Sequence, residues 1–174
     1  TLYEYDSGGG LYLYSSGTFT SDPALANLTF IGNRAMRNGG GMYTSGSAPN
    51  LTNVVFSGNK AVIGDGGGMY NHYSAPSLAN VIFRQNKANN GAGMFNKGGT
   101  VNVTETKFEE NSIYDNVNGS SGGGMYNDAT SGLITNATFT ANWANLYGGG
   151  MYNVNVGNNF NLKNVTFSGK KDMT

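Results

Sequence analysis

The sequence predicts an all-β protein, a parallel β-helix (β-solenoid) of six coils of about 25–31 residues, with residues 1–174 forming one domain. Three observations predict it. The string Gly-Gly-Gly-Met-Tyr-Asn at residues 148–153 returns at 122–127 and 66–71, with variants starting at Gly39, Gly91 and Gly8. A second motif keeps time with it: an apolar residue, an Asn and then Phe-x-x-Asn, as in Leu51, Asn53, Val54, Phe56 and Asn59. No apolar pattern with a helical period is sustained, and the glycine triplets interrupt any candidate helix.

The glycine motif sets the clock. Its third glycine falls at 10, 41, 68, 93, 124 and 150, in steps of 31, 27, 25, 31 and 26 residues. A propeller blade would need four strands in a longer repeat. Like residue types at each repeat position instead imply like stacked on like, with strands ~4.8 Å apart and three strand faces per coil. Six such spacings give an axis of ~29 Å. In the four middle copies the aromatic of the glycine motif precedes the Phe by 13 residues, so that half of the repeat is rigid.

Each ladder then has a side. Met42, Met69, Met94, Met125 and Met151 are placed inward, with Leu11 in the first coil. Further inward ladders are Phe30/Phe56/Phe83/Phe108/Phe139/Phe167, Leu25/Leu51/Leu78/Val103/Ile134/Leu162 and Ala35/Ala61/Ala88/Ile113/Ala144. Alternation puts the next residue on the opposite face. Tyr12, Tyr43, Tyr70, Phe95, Tyr126 and Tyr152 therefore form an outward aromatic stripe.

Corners follow from the breaks in alternation. Apolar spacing changes near Asn53, so a corner is expected there. A second is expected at the Asn of Phe-x-x-Asn, because Asn tolerates left-handed backbone. Asn33, Asn59, Asn86, Asn111 and Asn142 are also expected to bond one another through their amides as a structural ladder along the column. The segment from that Asn to the next glycine triplet varies in length. Its longest copy, residues 112–121, reads as a surface loop. The triplets themselves read as tight corners where backbones approach closely; none is followed by Lys-Ser/Thr and a helix, so a phosphate loop does not fit.

Composition narrows the function. Ten basic and ten acidic residues leave no net charge, which gives no electrostatic case for nucleic acid or an anionic membrane. No apolar run is long enough to span a bilayer. The absence of cysteine excludes disulfides and thiolate metal sites. The chain opens on Thr1 rather than Met, as expected of a processed, trimmed or excised segment.

The paired landmarks resemble the repeats of chlamydial polymorphic outer membrane proteins, whose signatures are Gly-Gly-Ala-aliphatic and Phe-x-x-Asn. Phe30/Asn33, Phe56/Asn59, Phe83/Asn86, Phe108/Asn111 and Phe139/Asn142 match the second; the first becomes Gly-Gly-Gly-Met, as at residues 66–69. The resemblance spans almost the whole chain. It implies a right-handed parallel β-helix of the pectate-lyase-like superfamily and a surface-exposed, adhesin-type role.

The expected function is accordingly an extracellular or cell-surface structural and adhesive solenoid without cofactor. The alternative is a carbohydrate-binding or polysaccharide-degrading β-helix. Cleavage needs paired carboxylates or a cationic base in a groove. The charged residues look scattered, with none repeating at one ladder position, and Glu109 and Glu110 are expected to face opposite sides of a strand. No catalytic residue and no metal site is therefore assigned, and no enzyme is expected. The aromatic stripe is the candidate contact for a glycan or host surface, although mutual packing of its rings is the favoured role. His72 and Trp143 read as surface or packing residues. Of the Asn-x-Ser/Thr sequons at Asn27, Asn50, Asn102, Asn118, Asn136 and Asn164, only Asn118 is a candidate glycan acceptor.

The ends suggest a partner. Seven residues precede Gly8 and four follow Lys170, so a copy placed beyond would continue the winding at the same angular position. Copies are expected to stack head to tail into a filament, or else adjoining repeats of a longer chain cover the same edges.

Overall fold

The computed structural model describes residues 6–16, 21–114 and 119–169. They wind into a parallel β-solenoid of about six turns, with no helix among the described residues. Each full coil carries up to four short strands. The first line holds the Met-aromatic pair, as in Met42–Ser45, Met69–Ser74 and Met125–Asp128. The second holds the Leu ladder, as in Asn50–Thr52 and Ser77–Ala79, and the third the Phe ladder, as in Val55–Ser57 and Ile82–Arg84. The fourth comprises Arg34–Ala35, Lys60–Ala61, Lys87–Ala88 and Ser112–Ile113. A coil has more than three strand faces, because Arg34–Ala35, Lys60–Ala61, Lys87–Ala88 and Ser112–Ile113 pair parallel with one another as a further line.

Those lines make three sheets. The first and second lines join as one 11-stranded sheet, because Met94–Thr104 runs through both; the third has six strands and the fourth four. Register is like on like: Met69 pairs with Met42 and Met94, Leu78 with Leu51 and Val103, Phe83 with Phe56 and Phe108. The core is a column of these side chains. Met42, Met69, Met94, Met125, Phe56, Phe83, Phe108, Phe139, Leu51, Leu78 and Ile134 are fully buried. The Phe rings stack with centroids 4.5–4.9 Å apart, which is the strand spacing imposed on the side chains.

The corners use left-handed backbone in columns. Asn27, Asn53, Asn80, Glu105, Asn136 and Asn164 have φ between 50° and 57° and turn the second line into the third. Gln85, Glu110 and Ala141 share the next corner with Gly32, Gly58 and Gly169. The expected corner at the Asn of Phe-x-x-Asn is thus displaced by one residue. The left-handed residue comes just before that Asn, which frees the Asn side chain to point inward. Tyr73, Ala129 and Asn155, with Gly46 and Gly98, form a further left-handed corner between the first and second lines.

The third glycine of the triplet is fixed by close approach rather than by dihedral angle. A Cβ on Gly68 would lie 2.5 Å from the carbonyl oxygen of Gly93 and 2.9 Å from the Phe83 ring. The segment 112–121 needs correction as well. Ser112–Ile113 is a strand and Ser120 and Ser121 are buried, so less of it is loop.

Candidate functional site

Two amide ladders run inside the column. In the first, each interior Asn ties together three coils. Asn86 Nδ2 donates to the Phe56 carbonyl of the preceding coil at 3.0 Å and to Asn111 Oδ1 of the next at 2.9 Å. Its own Oδ1 accepts from Asn59 N and Asn59 Nδ2, both at 3.0 Å. Both donors and both acceptor sites of the amide are therefore used. The pattern starts at Asn33 and ends at Asn142, whose Nδ2 donates to Phe108 O at 2.8 Å.

The second ladder was not singled out in the sequence. Thr44 Oγ1 donates to Asn71 Oδ1, Asn71 to Asn96 and Asn96 to Asn127, each at 2.7 Å, and Asn127 to Asn153 at 2.8 Å. The signal was the last letter of Gly-Gly-Gly-Met-Tyr-Asn: two residues after Met, alternation returns the side chain to the interior. A third, exposed set joins Asn80, Asn53 and Asn27 at the corner, with donation toward the N-terminal coil.

The aromatic stripe lies on the opposite face from Met. Its rings stack from Tyr12 to Tyr126, with centroids 4.6–5.4 Å apart and planes within 12°; only Tyr152 tilts, at 53° to Tyr126. The stripe is not uniformly open: Tyr70 is 7% and Phe95 6% exposed, against 49% for Tyr12. The neighbours cover the ring faces that would stack on a sugar. Tyr43, Tyr70 and Tyr126 have phenol pKa values raised, in each case chiefly by burial, with charges such as Asp65 and Asp128 adding to it at Tyr70 and Tyr126. Their hydroxyls stay neutral.

Beside the stripe runs a polar row in register: Tyr14, Ser45, His72, Lys97 and Asp128. His72 meets the Tyr73 ring edge-on at 4.7 Å, and burial first, then Lys97, lowers its pKa. No group of acidic residues and His among the described residues is arranged to hold a metal ion. Trp143 packs in part against the cluster of Ala61, Ala88, Ala92 and Ile113. Asn118 lies outside the described residues, as do residues 1–5 and 170–174 at the proposed filament joint.

Two expectations about charge are overturned. Glu109 and Glu110 do not face opposite sides; both line one shallow surface groove with Arg84, Gln85, Thr140 and Ala141. Glu110 has φ 53°, and a left-handed residue breaks strand alternation. Nor are the cations all scattered. Arg34, Lys60 and Lys87 occupy one position of the fourth line, in direct register. Each follows the Asn of Phe-x-x-Asn immediately, a signal present in the sequence.

No family model, curated protein or solved structure matches this chain. The geometry alone carries a functional reading.

Proposed function

We propose that this chain is a structural and adhesive solenoid, displayed outside the cell or on its surface, with a role like that implied by the resemblance to polymorphic outer membrane protein repeats. One observation carries it. The repeated polar side chains inside the column are consumed by coil-to-coil bonding, and no buried side-chain nitrogen or oxygen among the described residues lacks a partner. Such a column is a stiff rod whose outer rows are free to vary.

The test is retention. A carrier displaying the chain is applied to cultured animal-cell layers beside one displaying an unrelated solenoid of equal length. Greater retention of the first is expected. Equal retention would refute the adhesive role and leave a scaffold. Tyr70→Ser with Tyr126→Ser separates packing from contact in the stripe: lost thermal stability with unchanged binding on a glycan array is expected.

A further inference from the structure

We infer that the fourth strand line is a binding face for an acidic polysaccharide, engaged by the row Arg34, Lys60 and Lys87. Arg34 pairs in register with Lys60 and Lys60 with Lys87, so the three cations succeed one another at the coil spacing of ~4.8 Å. Like charges placed directly opposite on adjacent strands repel and destabilise the sheet. The repulsion is offset in part by Lys87 Nζ over the Tyr114 ring and, among the described residues, by no carboxylate. Among the described residues no carboxylate forms an ion pair with any of the three. The Arg34 guanidinium, among the described residues, donates to the Met36 sulfur at 3.8 Å, and Lys87 Nζ sits 5.2 Å from the centre of the Tyr114 ring. Arg34 and Lys60 are exposed.

The chemistry of the row selects its occupant. Three positive charges in a straight line, one per coil, match a linear polymer carrying carboxylates or sulfates at regular intervals. One coil rise is close to the length of one sugar residue in an extended chain. The same row continues through Ser112 to Trp143, and Tyr114 stands beside it, so partly exposed aromatic surface flanks the cations. Such surface accepts the apolar face of a pyranose. Glu109 and Glu110, on the coil after Lys87, set a limit, because they repel an anionic chain that runs further in that direction. Nucleic acid is the weaker fit. Its affinity comes from neutralising many phosphates with a broad basic surface, whereas this chain has zero net charge and a row one residue wide. The inference stands apart from the adhesive reading, since polyanion binding here needs no cell-surface role.

The experiment titrates the full chain with polygalacturonate and chondroitin sulfate, and with neutral dextran, single-stranded DNA and phosphatidylserine vesicles as comparisons. Binding to at least one acidic polysaccharide, weakened by added salt, is expected. The triple variant Arg34→Gln, Lys60→Gln, Lys87→Gln should bind it at least about tenfold more weakly, the effect of losing one or more charge-assisted hydrogen bonds. Its melting temperature should be unchanged or higher, because the repulsion is gone. A control, Lys97→Gln, Lys107→Gln, Lys163→Gln, removes the same charge from exposed positions on other faces and should bind as the parent does. Equal binding to dextran, tighter binding to DNA or vesicles, or an equal loss in both triple variants would overturn the inference.

Discussion

Asn111 Oδ1 accepts two hydrogen bonds from a single neighbour, the backbone N–H of Asn86 at 3.1 Å and its Nδ2 at 2.9 Å. The amide thereby acts as a pseudo-backbone clamp between successive coils. Because both groups are buried, the clamp is worth most when it breaks: an orphaned buried donor costs far more than a satisfied one gains.

Asn86→Ala should therefore destabilise the solenoid by about 3 kcal/mol or more, from the Asn59 N–H and one Asn59 Nδ2 hydrogen left without an acceptor. Asn153→Ala, at the exposed end of the second ladder, should cost less than about 1 kcal/mol. Urea unfolding of both variants checks the ratio. Equal losses would mean that the interior ladder has no special weight.

Two glycines with different reasons should respond differently. Gly68→Ala forces a methyl against the Gly93 carbonyl and should cost about 1–3 kcal/mol. Gly58 has φ 64° with open space around it, and its corner equivalents are Gln85, Glu110 and Ala141. Gly58→Asn should stay within about 0.5 kcal/mol of the parent. Circular dichroism melts of the two variants decide the matter.

Ala141 holds left-handed backbone, φ 52°, without the side-chain or glycine advantages that favour it. Ala141→Gly should stabilise by about 0.5–1 kcal/mol, the strain relieved less the added unfolded-state entropy. A lower melting temperature would show that the Ala141 methyl contributes packing that outweighs its strain.

Asp65 gives a pH signature. Burial raises its carboxyl above the usual value, only partly offset by the Asn90 Nδ2 donor at 2.9 Å and by Lys97. A raised carboxyl favours the folded state when protonated, so this contribution is present below the ordinary value of 3.8 and lost as pH rises through the raised folded value. Asp65→Asn keeps an acceptor for Asn90 and should be more stable than the parent at neutral pH, with the advantage vanishing in acid. Denaturant midpoints at pH 7 and pH 3 measure it; a constant difference would refute the assignment.

The six-fold double landmark made the coil and its stacking legible, because Met, Leu and Phe ladders need only period and polarity to be placed inside. Asn53 was legible as a corner for the same reason. The corner after Phe56 was misplaced because Gly58 and Asn59 both suit left-handed backbone, and only tertiary pairing shows that Gly58 takes it. An uninterrupted strand would put Glu109 and Glu110 on opposite sides, which the turn at Glu110 cancels. The Arg34, Lys60 and Lys87 row is hard to read in the sequence for a different reason: it changes residue type and, among the described residues, gives way to Ser112 and Trp143 in the next two coils.

Ile113 stands where Ala35, Ala61, Ala88 and Ala144 stand on the other coils, packed with Ala92, which itself replaces a glycine of the triplet. In a column whose storeys are nearly interchangeable, a folding chain can skip one storey and still find a matching ladder, at the modest entropic charge of a longer loop. Identity by itself gives no protection against that error. The larger Ile113 side chain departs from that uniformity, fully buried in a cluster with Ala61, Ala88 and Ala92. The storey that carries Ile113 is thus set apart from those that carry Ala at the same place.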